Sequence, residues 1–304
     1  MTIGVKPGVW QVNKTKSGLS VSNLLQGGFV DPEGLHISSS HNARVKQVIH
    51  LREKRVRDET GLFLIEGYRE LLRAADVEWE IEQLFICREL FLGSNEDALI
   101  KRISLKGVKV LTCSEPIFHK LSYRDRPDGL LAIARQKHLS LSQLENKLKE
   151  KNNPLFVIAE SIEKPGNLGT MLRSSDAVGL DGFIVCDRCT DIYNPNVVRA
   201  SIGTLFSVPV VEASGKETIE WLKANNIAIL AATPSAKLEF TQTNMNRPLA
   251  IAVGTEQLGL SDLWMQQAEL QVRIPMCGIA DSLNVAMATT LLMYEALRQR
   301  RSIT

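Results

Sequence analysis

Residues Ile274–Tyr294 read IPMCGIADSLNVAMATTLLMY: the end of an apolar strand (Val272, Ile274), a turn holding Pro275 and Gly278, and a helix with no charged residue until Glu295. Asp281 or Ser282 stands where an N-cap belongs, so the first helical amides face the turn and form a corner able to hold a polar ligand. Leu283, Ala286, Met287, Thr290, Leu291, Met293 and Tyr294 do not keep to one narrow stripe. Such a helix is expected to be buried on most sides, either inside a core or against a second subunit.

Upstream of it, short apolar runs alternate with helical patterns. Strands are predicted over residues 155–159, 182–186, 208–211, 227–231, 249–253 and 271–274, with helices over 167–178, 196–202 and 217–224. This alternation predicts a doubly wound α/β domain whose ligands sit at the carboxyl ends of the strands. The polar, charged segment of residues 139–153 is helical in pattern and reads as a linker at the domain boundary. Before it, over residues 41–138, strands at 61–67, 81–87, 108–111 and 130–134 alternate with helices at 68–75, 95–104 and 115–121. That spacing predicts a second compact α/β layer with a parallel or mixed sheet. Residues 1–40, rich in Gly, Ser, Asn and Val without a sustained period, read as a loosely ordered extension.

The 304 residues are 44% hydrophobic and 23% charged, an ordinary globular composition with room for two domains. Net charge is only +2, so a nucleic-acid partner has to be held by local basic patches. One such patch runs from Asn42 to Arg57, where Arg44, Lys46, Arg52, Lys54, Arg55 and Arg57 meet a single acid, Glu53, on a helical pattern. It is either a solvated helix surface or an RNA-contacting face. The polar turn Tyr123–Gly129 presents Arg124 and Arg126 as further phosphate contacts. Five scattered cysteines point to a reduced, cytoplasmic compartment. Cys186 and Cys189 form a lone CxxC without a second pair or a nearby His, which favours two semi-buried thiols over a metal or redox centre. No apolar run approaches the ~20 residues of a membrane helix.

Three strand-end loops are too specific to be mere connections. In ESIEKPGNLGTMLRSSD (Glu160–Asp176), Asn167 begins a helix and Arg173 lies two turns along it; Asn167 as an N-cap and Arg173 as an ion-pair partner of Asp176 or Glu160 is the structural alternative. In GTEQLGLSD (Gly254–Asp262), glycine permits close backbone approach and Glu256 places a carboxylate at a strand end. The third loop is the corner described first, with Ser282 and Asn284. Neither GxGxxG nor GxxxxGK[ST] occurs, which disfavours a dinucleotide-binding enzyme.

Taken together, NLGTMLRSSDA, GTEQLGLS and IPMCGIADSLNVA, in that order, resemble the three signature motifs of the SpoU (TrmH-like) RNA ribose methyltransferases of the SPOUT superfamily. NPNVVRASIGTLFSVPV (Asn194–Val210) is similar to a fourth family segment, while FLIEG at Phe63 and PDGLLAIA at Pro127 resemble the family's L30e/L7Ae-like substrate-binding domain. The resemblance implies a Rossmann-like, trefoil-knotted catalytic domain over residues 154–304, following a substrate-binding domain over 41–138. It implies transfer of a methyl group from S-adenosylmethionine to an RNA ribose 2′-hydroxyl, without a metal, by a homodimer packed through its knot. By the same resemblance Asn167, Arg173, Glu256, Ser282 and Asn284 are the polar active-site positions. Thr233, Gly254, Thr255, Glu256, Ile274, Met276 and Leu283 surround the cofactor, and Arg199 and Ser201 face RNA along with Arg44, Lys46, Arg124 and Arg126. Thr255, Gln257 and Ala286 depart from the family's more usual Asn, Gly and Ser. The separate amino-terminal domain favours ribosomal RNA as substrate, by analogy. Transfer RNA, or a non-catalytic RNA-binding role on the same fold, are the alternatives.

Overall fold

The computed structural model describes residues 36–148, 151–187 and 190–301, and from His36 onward they form one compact unit built on two sheets. The first sheet contains β1 (His36–Ile37), β2 (Leu62–Glu66), β3 (Ile81–Ile86), β4 (Lys109–Cys113) and β5 (Leu130–Arg135), in the order β1-β4-β3-β5-β2. It is mixed: β1, β4 and β3 run parallel, while β5 is antiparallel to both β3 and β2. Helices α1 (Ala43–His50), α2 (Lys54–Thr60), α3 (Tyr68–Asp76), α4 (Glu96–Ser104) and α5 (Glu115–Leu121) cover it.

After α6 (Leu141–Leu148) comes a seven-stranded sheet, parallel throughout. Its chain order is β6 (Leu155–Glu160), α7 (Pro165–Val178), β7 (Gly182–Cys186), α8 (Pro195–Ala200), β8 (Val210–Ala213), α9 (Gly215–Ala224), β9 (Ala228–Ala232), β10 (Leu238–Glu239), β11 (Leu249–Val253), α10 (Asp262–Gln267), β12 (Leu270–Arg273) and α11 (Val285–Arg301). In space the strands lie β10-β12-β9-β11-β6-β7-β8. From β6 the chain winds outward through β7 and β8, then returns to fill the other side. The crevice between the ends of β6 and β11 is therefore the topological switch point, where such sheets bind ligands.

Strand periodicity explains why the two sheets make one body. Phe63 and Ile65 of β2 and Leu155, Val157 and Ala159 of β6 belong to the same buried cluster. Their neighbours Leu62 and Leu64 face one outer layer of core, and Phe156 and Ile158 face another. Across the shared core Phe63 lies 4.5 Å from Tyr193 and Trp79 lies 5.0 Å from Phe206, ring centre to ring centre.

Several expectations need correction. The extension predicted over residues 1–40 ends earlier, because His36 and Ile37 pair with Thr112 and Cys113; its remainder, residues 1–35, lies outside the described residues. The helical pattern of the segment read as a linker is met by α6, but the helix belongs to the fold: its Leu144 is fully buried in the outer core of the second sheet, beside Gly182. The basic helix expected over residues 42–57 is two helices, since Glu53 is extended (φ −85°, ψ 130°). Arg52 there donates to the carbonyls of Lys120, Leu121 and Ser122 at the end of α5, Lys54 and Arg55 pair with Asp58 and Glu59, and Arg57 is buried. Burial pushes the Cys186 thiol up to about 12, against a hydrogen bond with Thr218 that lowers it; Cys189 lies outside the described residues. Among the described residues no helix is long and apolar enough to cross a membrane, and no group of three or more His, Cys, Asp or Glu side chains could hold a metal ion.

Candidate active site

Pairing of β6 with β11 in parallel register sets Ala159 beside Val253, so the chain segments that leave these strands emerge together. From β6 the chain passes Lys164 into α7, where Pro165 occupies the first turn. From β11 it enters a tight turn closed by two hydrogen bonds between Thr255 and Gly259, with Gly259 at φ +71°. Glu160, buried at the end of β6, anchors the far side of that turn by accepting from the Ser261 amide (2.8 Å) and hydroxyl (2.6 Å).

Glu256 is the hub. Its Oε1 accepts from Asn167 Nδ2 at 2.6 Å and from Asn284 Nδ2 at 3.0 Å, and Oε2 accepts from the Lys164 ammonium. The same Asn284 amide also reaches Asn167 Oδ1 at 3.1 Å. The hydrogen bond from Lys164, then that from Asn167, hold the Glu256 carboxyl below the usual carboxylate range. It is therefore ionised at neutral pH, a fixed acceptor rather than a proton carrier.

Three of the five predicted polar residues, Asn167, Glu256 and Asn284, thus come together from distant parts of the chain. Arg173 lies on α7 in the row Asn167, Thr170, Arg173. It is exposed and makes no hydrogen bond or ion pair among the described residues. The ion-pair alternative fails, because Glu160 holds Ser261 and Asp176 accepts from the Ser207 hydroxyl. Ser282 is exposed and stands outside the cluster. Nor is it the N-cap: α11 begins at Val285, and Asn284 Oδ1 accepts from the Ala286 amide at 3.0 Å. Lys164 escaped sequence reading. Its only signal was being the one cation between β6 and the first proline of α7.

The cofactor candidates occupy a coherent place. Thr233, Gly254 and Ile274 directly follow β9, β11 and β12, which are adjacent in the sheet. Met276 and Leu283 are exposed apolar side chains, and their backbone amides make no hydrogen bond among the described residues. Gly254 has a different reason to be glycine than expected. A Cβ there would lie 2.0 Å from the Gly259 carbonyl oxygen, so the returning turn, not a ligand, fills that space. Residues Ile162, Lys164, Asn167, Glu256, Leu258 and Val285 border a partly open pocket of about 80 Å³.

The RNA candidates divide. Arg44, Lys46, Arg126 and Arg199 are at least partly exposed and without ion pairs among the described residues. Arg124 is instead built into the protein, donating to Glu70 and to the Glu66 carbonyl, each at 2.6 Å. Ser201 is fully buried and turns its hydroxyl back to the Val198 carbonyl, so it does not face RNA.

Residues 154–294 match the SpoU rRNA Methylase family, and residues 42–132 match the MRM3-like substrate binding domain. A 23S rRNA (uridine(2479)-2′-O)-methyltransferase of Streptomyces viridochromogenes is 30% identical over 276 residues, spanning 87% of this chain and 92% of that protein. The chain belongs to the SpoU methylase family. Among solved structures, this SpoU protein resembles an AdoMet-bound rRNA methyltransferase from Sinorhizobium meliloti (TM-score 0.78, 29% identity, 86% of this chain and 97% of that one). It also resembles an RNA 2′-O ribose methyltransferase (TM-score 0.75, 40% identity, 88% and 100%). The α/β architecture and the preceding substrate-binding layer expected from sequence are those of the SpoU family.

Proposed function

We propose that this SpoU protein transfers the methyl group of S-adenosylmethionine to a ribose 2′-hydroxyl of ribosomal RNA, in the cytoplasm. The observation that carries the reading is the Lys164–Glu256–Asn167–Asn284 cluster at the switch point, with a free guanidinium two turns along α7. The names of the relatives and neighbours agree with it. Thr233, Gly254, Thr255, Glu256, Ile274, Met276 and Leu283 would hold the cofactor. Strand-end backbone beside exposed apolar side chains suits an adenine ring, for which the 80 Å³ pocket alone is too small. The sulfonium supplies an already activated methyl group. What remains for the chain is to orient the acceptor oxygen, whose proton passes to solvent water as the methyl group is transferred. Arg173 orients it, since a guanidinium offers donors but no acceptor and is a poor base, and Asn167 and Asn284 are kept in place by Glu256. Mapping of 2′-O-methyl positions in total RNA with and without the gene tests the assignment. One ribosomal position should lose its methyl group. A loss confined to transfer RNA, or no loss at all, overturns it.

We further propose that the protein works as a homodimer through α11 and the turn before it, the segment we take as knotted. In the single chain α11 buries Val285, Ala286, Thr289, Leu292, Met293 and Ala296 but leaves Met287 60%, Leu291 43% and Tyr294 48% exposed. The helix expected to be buried on most sides is thus apolar on a face this chain does not cover, and a second copy supplies the cover. Leu291→Glu is expected to yield monomers in analytical ultracentrifugation, with weakened cofactor binding because α11 follows directly on the turn that carries Met276 and Leu283. A fully active monomer would refute this.

A further inference from the structure

A cavity of about 770 Å³ lies away from the Glu256 cluster. It is a groove whose walls come from both sheets: the start of α3, the loop of residues 92–96, the loop of residues 124–128, and the end of α8. We infer that this groove is the track for a single strand of RNA, whose phosphates meet Arg69, Arg126 and Arg199. The inference rests on the RNA reading above and adds where the strand runs.

Charge accounting carries it. Of the acids lining the groove, Glu70 is buried on Arg124, Asp128 accepts from the Tyr68 amide at 2.8 Å, and Glu96 is buried on the Gly93 amide at 2.8 Å. Arg124 is fixed by Glu70. Arg69, Arg126 and Arg199 are exposed and make no hydrogen bond or ion pair among the described residues; against them stands one exposed acid, Asp125. Three unpaired guanidinium forks on opposite walls of a cleft suit a chain of phosphates, which they can grip bidentately. Tyr68 and Leu92, the latter 81% exposed, supply apolar surface for bases.

The groove also adjoins the helix pair that bears Arg199 and Arg173. Gly169, between Asn167 and Arg173 on α7, lets α8 approach so closely that a Cβ there would lie 2.5 Å from the Ala200 Cβ and 2.7 Å from the Val197 carbonyl. The helix end bearing Arg199 is thereby pressed against the helix bearing Arg173. A strand leaving the groove past Arg199 arrives at that row.

The probe is a labelled single-stranded RNA of about 12 nucleotides, a length such grooves can track, titrated by fluorescence anisotropy at several salt concentrations. Arg69→Ala, Arg126→Ala and Arg199→Ala should each weaken binding and lower the slope of log affinity against log salt by about 0.7. Each loss then shrinks the affinity drop across a fourfold salt range about 2.6-fold. Lys216→Ala, on exposed α9 surface, serves as control and should leave the slope unchanged. These side chains are solvent-exposed, so melting temperatures should match wild type. Wild-type protein that binds no RNA overturns the functional reading itself. Wild-type binding with unaltered slopes in all three variants overturns the groove alone.

Discussion

Arg173→Ala is expected to lose methyl transfer by at least about 10²-fold while S-adenosylmethionine binds as before, because the residue aligns the acceptor rather than the donor. The side chain is exposed and unpartnered among the described residues, so its removal should shift stability by less than about 0.5 kcal/mol. A catalytic loss therefore cannot be blamed on folding. The Glu256 cluster does not include it. Arg173→Lys should recover little, since an ammonium keeps the charge but not the planar fork that holds a ribose oxygen and an adjacent phosphate together. Transfer of labelled methyl to RNA, beside cofactor titration by calorimetry, measures both halves. Turnover retained in Arg173→Ala sinks the role.

What the sequence made legible follows from how each element is stabilised. Gly182–Cys186 and Leu249–Val253 were predicted at the bounds the structure shows, because five-residue apolar runs closed by turn residues have few other uses. Their spatial order was not legible from pattern: strands buried on both faces carry no alternation to mark their neighbours. β1 was missed because two residues give no period; the helical pattern of α6 was legible, but its place in the core was not, because Leu144 alone anchors an otherwise polar helix. The basic pattern over residues 42–57 was real, but residue type does not reveal which cations are already engaged. Arg52 serves α5 and Arg57 the core, while Arg44 and Lys46 stay free among the described residues. Ser201 failed for the same reason, a polar residue whose hydroxyl is satisfied locally. Asn167, Glu256 and Asn284 were found through motif resemblance. That they converge on one carboxylate depends on the register of β6 with β11 and on the packing of α11 against α7, where Thr290 and Ser174 hydroxyls lie 2.8 Å apart.

The second large effect lies far from the crevice. Arg57 is 1% exposed and donates through Nε (2.9 Å) and a terminal nitrogen (2.7 Å) to Asp191, and through the other to the Leu51 and Arg52 carbonyls. Asp191, equally buried, accepts from the Tyr193 amide with its second oxygen. Arg57→Met leaves that carboxylate buried and unpaired, which should cost about 3–5 kcal/mol, a sizeable part of the roughly 5–15 kcal/mol that holds a domain folded. Urea unfolding followed by tryptophan fluorescence measures it, and a cost below about 1 kcal/mol would show the pair to be dispensable. Adding Asp191→Leu should return much of the loss, because an apolar pair avoids the desolvation that the ions incur. Function should not return with it. Thr190, next to Asp191, donates to the Glu163 carbonyl at 2.5 Å, and Glu163 immediately precedes the Lys164 that grips Glu256. The pair thus ties α2, beneath the first sheet, to the loop that sets the crevice of the second. A double variant that is stable yet slow in methyl transfer would separate these two roles.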